Sequence, residues 1–235
     1  MEQYARILKL INADQLAPIQ NKKVVIVGVG GVGGFALETL VRFGIKNISV
    51  IDNDTVDITN LNRQIISDYN VLGQNKVEIA LQRALSINPN GNFRGDNVFL
   101  NQDNLAEFIP NDSDYILDCC DTVTTKIALI KFAKERNIPI ICAMGTGNRL
   151  DPSKILVTDI YKTNNDPLAK IMRRLCKDNN VKKLEVVTSS ELPVKTHDRT
   201  PGSTPFVPSV AGIFMASYVV NKWLKDLKKE KETNN

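Results

Sequence analysis

The chain has 235 residues, of which 43% are hydrophobic and 24% charged, and its formal net charge at neutral pH is +4. This length is enough for one α/β domain with a sizeable core. Its four cysteines are too few and too unevenly placed for a disulfide framework, and no signal peptide is expected, so a secreted disulfide-rich protein is excluded and a reduced, cytoplasmic one is indicated.

The charge is unevenly distributed along the chain. Residues 1–150 carry 15 Lys and Arg against 16 Asp and Glu, whereas residues 151–235 carry 15 against 10, so the whole positive excess is C-terminal. A basic C-terminal part suits a polyanion such as nucleic acid, and a solvated surface explains the same excess equally well.

Strands and helices alternate along the sequence. The predicted elements are a helix at 2–10, a turn at 13–21, strands at 24–27, 47–51, 93–100, 115–119, 138–143, 155–159 and 184–188, and helices at 35–43, 76–87, 122–136, 166–179 and 206–227. They predict a Rossmann-like α/β fold with a largely parallel sheet flanked by helices, C-terminal strands and a long C-terminal helix. We expect one domain, with a nucleotide-binding core at about 22–145, a substrate or dimer part at about 146–228, and a disordered tail at 229–235.

A glycine turn follows the first strand, in the sequence Gly28-Val29-Gly30-Gly31-Val32-Gly33. Gly28 allows a tight turn, and Gly33 lets the following helix pack closely on the strand. Gly30 and Gly31 let the backbone approach a ligand, and the free N–H groups at the helix start favour a phosphate. The turn accepts NAD, FAD or ATP, and a purely structural turn is the alternative.

The polar loop after the second strand narrows the choice of nucleotide. It begins at Asp52 and carries Asn60, Arg63 and Gln64 before Lys76 opens the next helix. Asp52 could accept from ribose hydroxyls, while Arg63 and Lys76 could neutralise phosphate charge. A lysine is disfavoured at a helix N-terminus, which favours a functional Lys76 over a solvated surface residue. The loop therefore suits a triphosphate.

Two carboxylates, Asp118 and Asp121, stand at the end of the predicted strand 115–119. Ligands bind at the carboxyl edge of open parallel sheets, so both are well placed for function. Asp121 could instead cap the following helix, and the two roles can coexist.

The basic C-terminal part contains the candidates for contact with RNA phosphates. On the predicted helix, Leu168, Ile171, Met172 and Leu175 share one face. The candidates are Arg173, Arg174, Lys182 and Lys183. A solubilising surface is the ordinary alternative for such residues.

Residues 189–205 predict a mobile loop that holds the only histidine, His197. Without an identifiable partner, His197 is expected to be solvent-exposed rather than a general base. The four cysteines are expected to be small buried hydrophobes. The apolar centre of the last helix, 210–220, is shorter than the ~20 residues that a membrane span needs, so it predicts a core helix or a dimer interface.

Together with Asp121 in the sequence Leu117-Asp118-Cys119-Cys120-Asp121, the glycine turn and polar loop resemble the adenylating family that includes ubiquitin-activating enzymes, ThiF and the molybdopterin adenylyltransferases. The resemblance implies an ATP site. Its candidate residues are Gly28, Gly30, Gly31, Asp52, Asp54, Asn60, Arg63, Gln64, Lys76, Asp121 and Thr122. It implies catalytic roles for Arg63, Lys76 and Asp121, with Arg63 reaching the partner subunit's site and Asp121 serving the magnesium-nucleotide.

Five further motifs indicate which branch of the adenylating family the chain resembles. They are Gly145-Thr146-Gly147-Asn148-Arg149-Leu150-Asp151-Pro152, Asp159-Ile160-Tyr161-Lys162-Thr163, Asp166-Pro167-Leu168-Ala169-Lys170, Ser189-Ser190-Glu191 and Pro201-Gly202-Ser203. They resemble one branch of the family, the tRNA threonylcarbamoyladenosine dehydratases. This branch implies that ATP adenylates the carboxylate of threonylcarbamoyladenosine in tRNA, and that the neighbouring carbamoyl group then displaces AMP with a net loss of water. Since the attack is intramolecular, no enzyme nucleophile is required.

Two absences from the sequence agree with this branch. The chain has no paired Cys-x-x-Cys motifs for a structural zinc, and no cysteine between residues 188 and 212 for a thioester. The alternatives are an adenylyltransferase for a sulfur-carrier or ubiquitin-like protein, an NAD-dependent oxidoreductase, and a tRNA-binding module with a degenerate pocket.

The resemblance also sets expectations for cofactors and partners. We expect ATP with Mg²⁺ at Asp121 and no zinc site, and a monovalent cation is a further candidate. The expected partners are tRNA carrying threonylcarbamoyladenosine and a second copy of the chain, with a sulfur-transfer protein as a further candidate and no membrane insertion.

Overall fold

The computed structural model describes residues 2–196 and 200–233. The strands are β1 (Lys23–Val27), β2 (Asn47–Ile51), β3 (Asn92–Asp96), β4 (Tyr115–Asp118), β5 (Ile140–Ala143), β6 (Ile155–Asp159) and β7 (Glu185–Ser189). The α-helices are α1 (Ala13–Gln20), α2 (Gly33–Phe43), α3 (Lys76–Ile87), α4 (Leu105–Phe108), α5 (Val123–Glu135), α6 (Pro167–Asp178) and α7 (Phe206–Thr233). Short 3-10 helices occupy Glu2–Tyr4, Ile7–Lys9, Ile58–Asn60, Tyr69–Val71, Pro152–Lys154 and Ile160–Lys162.

The strands form one sheet in the order β3-β2-β1-β4-β5-β7-β6. All neighbours are parallel except β6, which pairs antiparallel with β7. The chain leaves β1 toward β2 on one side and later returns to β4 on the other, so the strand order reverses between β1 and β4. Such a reversal opens a crevice at the carboxyl ends of the two strands, where ligands bind in open α/β sheets. The predicted Rossmann-like, largely parallel α/β fold is confirmed.

Helices cover both faces of the sheet. Along β1, Val24 and Ile26 belong to the apolar cluster of α2, α3 and α7, whereas Val25 and Val27 belong to the cluster of α5 on the other face. This alternation follows from the two-residue period of a strand. Because both faces are buried, the strand is an unbroken apolar run, as the sequence suggested.

The N-terminal elements differ from the prediction. Residues 2–10 form two 3-10 turns instead of one amphipathic helix, and the turn expected at 13–21 is the helix α1. Asn12 caps α1 by accepting from the Gln15 N–H while its own N–H is bound by the Gln15 side chain, which fixes the helix start after residue 12. Leu10 is 87% exposed, so the preceding segment has no continuous apolar face to pack as a helix.

The third strand is shorter than predicted. It pairs with β2 from Asn47 opposite Asn92 to Ile51 opposite Asp96, and β2 ends there. Residues 97–100, predicted as strand, have no neighbour to pair with, so they leave the sheet and turn toward the crevice.

The C-terminal helices also differ in detail. Helix α6 buries Ala169, Met172 and Cys176 and leaves Ile171 half exposed, so its apolar face is rotated from the predicted one. Helix α7 continues to Thr233 through the segment predicted as a disordered tail. That segment is rich in Lys and Glu, which favour helix, and α7 is already nucleated by its packed first half. Within residues 2–196 and 200–233, no helix is long and apolar enough to cross a membrane.

Candidate nucleotide-binding site

A cavity of about 440 Å³ opens at the carboxyl ends of β1, β2 and β4. Its lining includes all the predicted nucleotide-binding residues, namely Gly28, Gly30, Gly31, Asp52, Asp54, Asn60, Arg63, Gln64, Lys76, Asp121 and Thr122. These residues come from four separate segments of sequence. The fold therefore brings the glycine turn, the polar loop, the start of α3 and the end of β4 together around one space.

The glycine turn is sterically determined. Gly28 has φ +86°, and a Cβ added to it would lie 3.0 Å from the backbone of Cys119 and Cys120. A Cβ on Gly33 would lie 1.8 Å from the carbonyl oxygen of Gly28, so only glycine lets α2 start this close to the strand end. Gly30 is different, because its nearest neighbour is the Gln64 side chain at an ordinary 3.6 Å. The space beside Gly30 is therefore open to a ligand.

Asp52 joins the end of β2 to the glycine turn. One carboxylate oxygen accepts from the Val29 N–H at 2.7 Å, and the other accepts from the Asp54 N–H at 2.9 Å. Each oxygen retains a lone pair, since a carboxylate has about four acceptor positions. Asp52 can thus hold the turn and still accept from a ribose hydroxyl.

Lys76 is a buried cation at the start of α3. Its side chain is 6% exposed, and its Nζ lies 2.7 Å from Oδ2 of Asp54. The helix N-terminus disfavours a positive charge, and the N-cap residue Asn75 makes no side-chain capping bond. Asp54 offsets part of this cost, and an anion in the cavity would offset more.

Arg63 lines the cavity of its own chain. Its Nη1 donates to the Thr59 carbonyl oxygen at 2.7 Å and to Asn62 Oδ1 at 2.9 Å, which fixes the guanidinium, and its Cγ lies beside Gly31. Its expected reach into a partner subunit's site stays a prediction. Gln64 lies next to it, 7% exposed, and its Oε1 has no hydrogen-bond partner in the described part of the chain. A buried amide oxygen without a partner, on a residue that lines the cavity, indicates a polar ligand.

The two aspartates at the end of β4 have different environments. Asp118 is fully buried, and its Oδ2 lies 2.8 Å from Nζ of the equally buried Lys126. Burial alone would lower the pKa of Lys126, but the charge of Asp118 outweighs burial and raises this pKa above its usual value. Asp118 also accepts from the Cys120 N–H and thiol, so it is a core residue and the expectation that it serves a ligand is wrong.

Asp121 is exposed and lines the cavity. Within the described chain its carboxylate has one contact, with the Thr122 hydroxyl at 3.5 Å. Helix α5 begins at Val123 with Thr122 as the N-cap and no side-chain capping bond, so the proposed capping role of Asp121 is also wrong. The carboxylate is therefore available to a metal-bound nucleotide.

Cys119 and Cys120 also line the cavity, while Cys142 and Cys176 are buried. Burial raises the pKa of Cys119 and Cys120 above the usual thiol value, and the charge of Asp118 raises it further. Both are neutral thiols at physiological pH and hence poor nucleophiles. The expectation of small hydrophobes fits their chemistry, although these two lie at the cavity rather than in the core.

The four tRNA candidates lie away from this cavity. Lys182 and Lys183 line a second cavity of about 310 Å³ that also contains Ile140 and Glu185, at the opposite edge of the sheet. Arg174 is exposed on α6. Arg173 donates through Nη1 to the carbonyl and hydroxyl oxygens of Thr163, and its contact with a phosphate stays a prediction.

Sequence reasoning missed several lining residues. They are Val98, Phe99, Leu100, Thr125, Thr146, Ser203 and Pro208. The sequence predicts a strand at residues 98–100, and nothing in it shows that the neighbouring strand ends first. Thr146 and Ser203 belong to motifs recognised by resemblance alone, with no spacing that indicates a shared wall. His197 lies outside the described residues.

Comparisons with known proteins agree with this geometry. The model of the ThiF family matches residues 3–235. The tRNA threonylcarbamoyladenosine dehydratase of Bacillus subtilis (strain 168) is 36% identical over 245 residues, covering 97% of this chain and 96% of its own length. The E. coli tRNA N6-threonylcarbamoyladenosine dehydratase TcdA, solved in complex with AMP, is 32% identical and superimposes with a TM-score of 0.92 over 97% of this chain and 96% of its own. The same E. coli enzyme solved in complex with ATP gives a TM-score of 0.91 over the same shares of the two chains.

Proposed function

This chain belongs to the ThiF family, and from that premise we propose that it is an ATP-dependent tRNA threonylcarbamoyladenosine dehydratase that forms an acyl-adenylate. The main structural support for this function is the cavity at the carboxyl ends of β1, β2 and β4. In it a glycine turn, a ribose-accepting Asp52, a buried Lys76, Arg63 and a free Asp121 surround one space of nucleotide size. Near full-length similarity to tRNA threonylcarbamoyladenosine dehydratases identifies the substrate class.

The reaction has two steps. In the first, a carboxylate oxygen of the threonylcarbamoyl group forms a bond to the α-phosphorus of ATP, and the bond to the pyrophosphate leaving group breaks. In the second, the carbamoyl group of the same side chain attacks the acyl carbon, AMP leaves, and one proton is lost. The nucleoside is cyclised and has lost one water, while ATP has become AMP and pyrophosphate. Since both reacting groups of the second step belong to one molecule, proximity supplies much of the acceleration.

Charge stabilisation is the main task of the protein in the first step. We assign Lys76 and Arg63 to the phosphate oxygens, where a buried ammonium and a fixed guanidinium offset the developing negative charge. Asp52 and the unpaired amide of Gln64 are assigned to the orientation of the nucleotide. The neutral thiols of Cys119 and Cys120 need take no part, because the attacking group comes from the RNA.

Asp121 is the candidate residue for the magnesium-nucleotide. Its carboxylate lines the cavity and has no strong protein partner in the described part of the chain. Mg²⁺ usually binds one or two carboxylates plus substrate phosphates, so a single available aspartate fits this ion. When bound, Mg²⁺ would withdraw charge from the phosphate oxygens. No group of three His, Cys, Asp or Glu within residues 2–196 and 200–233 could hold a metal alone.

We propose a homodimer, supported by the exposed side chains of Phe206, Ile213 and Phe214 on α7. A monovalent cation near the nucleotide and a sulfur-transfer protein as partner are further proposals. A tRNA substrate and reduced thiols suit the cytoplasm.

Release of AMP tests this function against its alternatives. The purified chain is incubated with ATP and Mg²⁺, in one reaction with tRNA carrying threonylcarbamoyladenosine and in another with a sulfur-carrier protein. We expect AMP release with the tRNA and background release with the protein. The reverse result would identify an adenylyltransferase for a protein C-terminus. Tight binding of NAD together with no binding of ATP would identify an oxidoreductase.

A further inference from the structure

The side of the cavity nearest Arg63 is completed by two loop segments, residues 145–149 and 200–205. We refer to them as the wall segments. Thr146 comes from the first and Ser203 from the second, and both line the cavity. Neither belongs to the nucleotide-binding set, so the proposed ATP site leaves this wall without a role.

Asn148 ties the wall segments together. Its N–H donates to the Gly202 carbonyl oxygen at 2.7 Å, and its side-chain Oδ1 accepts from the Gly202 N–H at 2.6 Å. Its own carbonyl oxygen accepts from the Val194 N–H at 2.7 Å. Asn148 has φ +58°, a left-handed conformation that asparagine tolerates better than most residues. One residue thereby fixes both Val194 and Gly202.

Close packing reinforces this connection. A Cβ added to Gly147 would lie 2.7 Å from Cβ of Pro201, so the two wall segments are in direct contact and glycine is needed at this point. Gly202 is less constrained, because a Cβ there would lie 3.4 Å from Asn148 Oδ1. The position of Ser203 therefore depends on the first wall segment.

A short chain of hydrogen bonds places Ser203 at the Arg63 end of the cavity. Its carbonyl oxygen accepts from Asn62 Nδ2 at 3.0 Å, and Asn62 Oδ1 accepts from Arg63 Nη1 at 2.9 Å. Arg63 in turn lies beside Gly31 of the glycine turn. The wall segments thus meet the cavity at Arg63, the residue that we assign to the phosphate oxygens, and the acyl group must reach the α-phosphate.

The hydroxyl groups of Thr146 and Ser203 are available to a ligand. Across the described parts of the chain, no hydrogen bond engages either hydroxyl, although each residue is partly buried at the cavity. A hydroxyl can donate a hydrogen bond to a carboxylate oxygen. It can also donate to the carbonyl oxygen of a carbamoyl group or accept from its N–H. Being neutral, it orients a carboxylate without neutralising the charge that makes it a nucleophile.

We propose that Thr146 and Ser203 bind the threonylcarbamoyl group of the substrate, and that Asn148 is the positioning residue that holds the two wall segments together. The inference rests on the proposed function and extends it by assigning the acyl subsite. The subsite suits a small polar acid, since both residues present neutral hydroxyls to the cavity.

Thr146→Val and Ser203→Ala test the subsite, with Ser190→Ala as the control for removing a loop hydroxyl outside the cavity. We expect kcat/KM for the modified tRNA to fall about tenfold or more in each test variant, the usual loss of a hydrogen bond to a charged group. The Kd for ATP with Mg²⁺ should stay within about twofold of wild type, since the nucleotide contacts remain. Ser190→Ala should behave as wild type in both measurements.

Asn148→Gly and Asn148→Asp test the positioning role. Glycine accepts the left-handed backbone but removes the side-chain bonds, whereas aspartate keeps the acceptor for the Gly202 N–H. We expect glycine to raise KM for tRNA with little change in the Kd for ATP, and aspartate to restore most of the loss. Gly147→Ala should raise KM for tRNA more than Gly202→Ala, because only the former collides with Pro201.

The outcomes separate the subsite from the function on which it rests. If the wild-type chain makes no cyclised nucleoside, the proposed function and the subsite both fail. If wild type is active while Thr146→Val and Ser203→Ala match it in kcat/KM for tRNA, the subsite alone is rejected. A parallel loss of ATP affinity in these variants would also reject it, since the hydroxyls would then belong to the nucleotide site.

Discussion

Burial decides the roles of individual residues that look alike in sequence. Asp118 and Asp121 are three residues apart at the end of the same strand, yet one is paired with Lys126 in the core and the other faces the cavity. Sequence placed both at the ligand edge correctly. The sequence does not show which aspartate is buried, because lysines are rarely buried and the pairing of Lys126 with Asp118 is set by tertiary packing.

The two aspartates should therefore respond differently to loss of charge. Asp118→Asn leaves the buried ammonium of Lys126 without its counter-charge, and we expect the free energy of unfolding to fall by about 3–5 kcal/mol. Asp121→Asn should leave that free energy nearly unchanged and raise the Mg²⁺ concentration needed for half-maximal turnover. Urea unfolding and a Mg²⁺ titration measure the two effects. Equal stability losses in both variants would contradict the assignment.

Lys76 is the residue whose loss should affect the first chemical step most directly. We expect Lys76→Ala to reduce ATP-dependent turnover by about 100-fold or more, since a preorganised donor to the phosphates is removed. Lys22→Ala is the matched control, because Lys22 also forms an ion pair at 2.8 Å but with Asp114, at the other end of β1. Pyrophosphate release in the presence of tRNA measures turnover. Full activity of Lys76→Ala with retained fold would reject the role.

At the scale of elements, the glycine turn was predictable and the length of β3 was not. Part of the turn is specified locally, since Gly28 has φ +86° and a Cβ on Gly33 would collide with the carbonyl oxygen of Gly28. The end of β3 depends on where its neighbour β2 stops, which is a property of the assembled sheet. For the same reason the chain after Asp96 was expected to be strand, although it supplies part of the cavity lining.

The packing of α7 on the sheet includes a titratable cluster centred on Glu185. Burial alone would raise the pKa of Glu185, but hydrogen bonds from Tyr115, Tyr218 and Lys222 outweigh it and lower this pKa below the ordinary 4.5. A carboxyl with a lowered native pKa contributes stability that is complete above its ordinary value and is lost as the pH falls through the native value.

Replacing the carboxylate of Glu185 should change how the free energy of unfolding depends on pH at acidic pH. Glu185→Gln is expected to lower the free energy of unfolding at pH 7 by about 1–3 kcal/mol, because it weakens hydrogen bonds to a charged acceptor. The fall in stability between roughly pH 5 and pH 3 should be shallower in the variant. Urea unfolding across this range, with the exposed Glu107→Gln as control, measures the slope. Unchanged slopes in both variants would contradict this account.

At the scale of the whole molecule, the strand order fixes where function lies. The reversal between β1 and β4 opens the crevice, and the predicted nucleotide residues from four segments converge on it. The sequence indicated this convergence because each segment follows a predicted strand or opens a predicted helix at the carboxyl edge. The tRNA candidates lie outside this convergence, since the fold puts Lys182 and Lys183 at the opposite edge and engages Arg173 with Thr163, and their contact with RNA stays a prediction.

The activity that we propose for this chain is the ATP-dependent removal of water from a modified adenosine in tRNA. The most direct test is mass analysis of nucleosides from tRNA incubated with the purified chain, ATP and Mg²⁺. We predict that threonylcarbamoyladenosine is replaced by a nucleoside lighter by one water, in an amount equal to the AMP released, and that omission of ATP abolishes the change. Unaltered threonylcarbamoyladenosine in a reaction where the chain binds ATP would contradict the account.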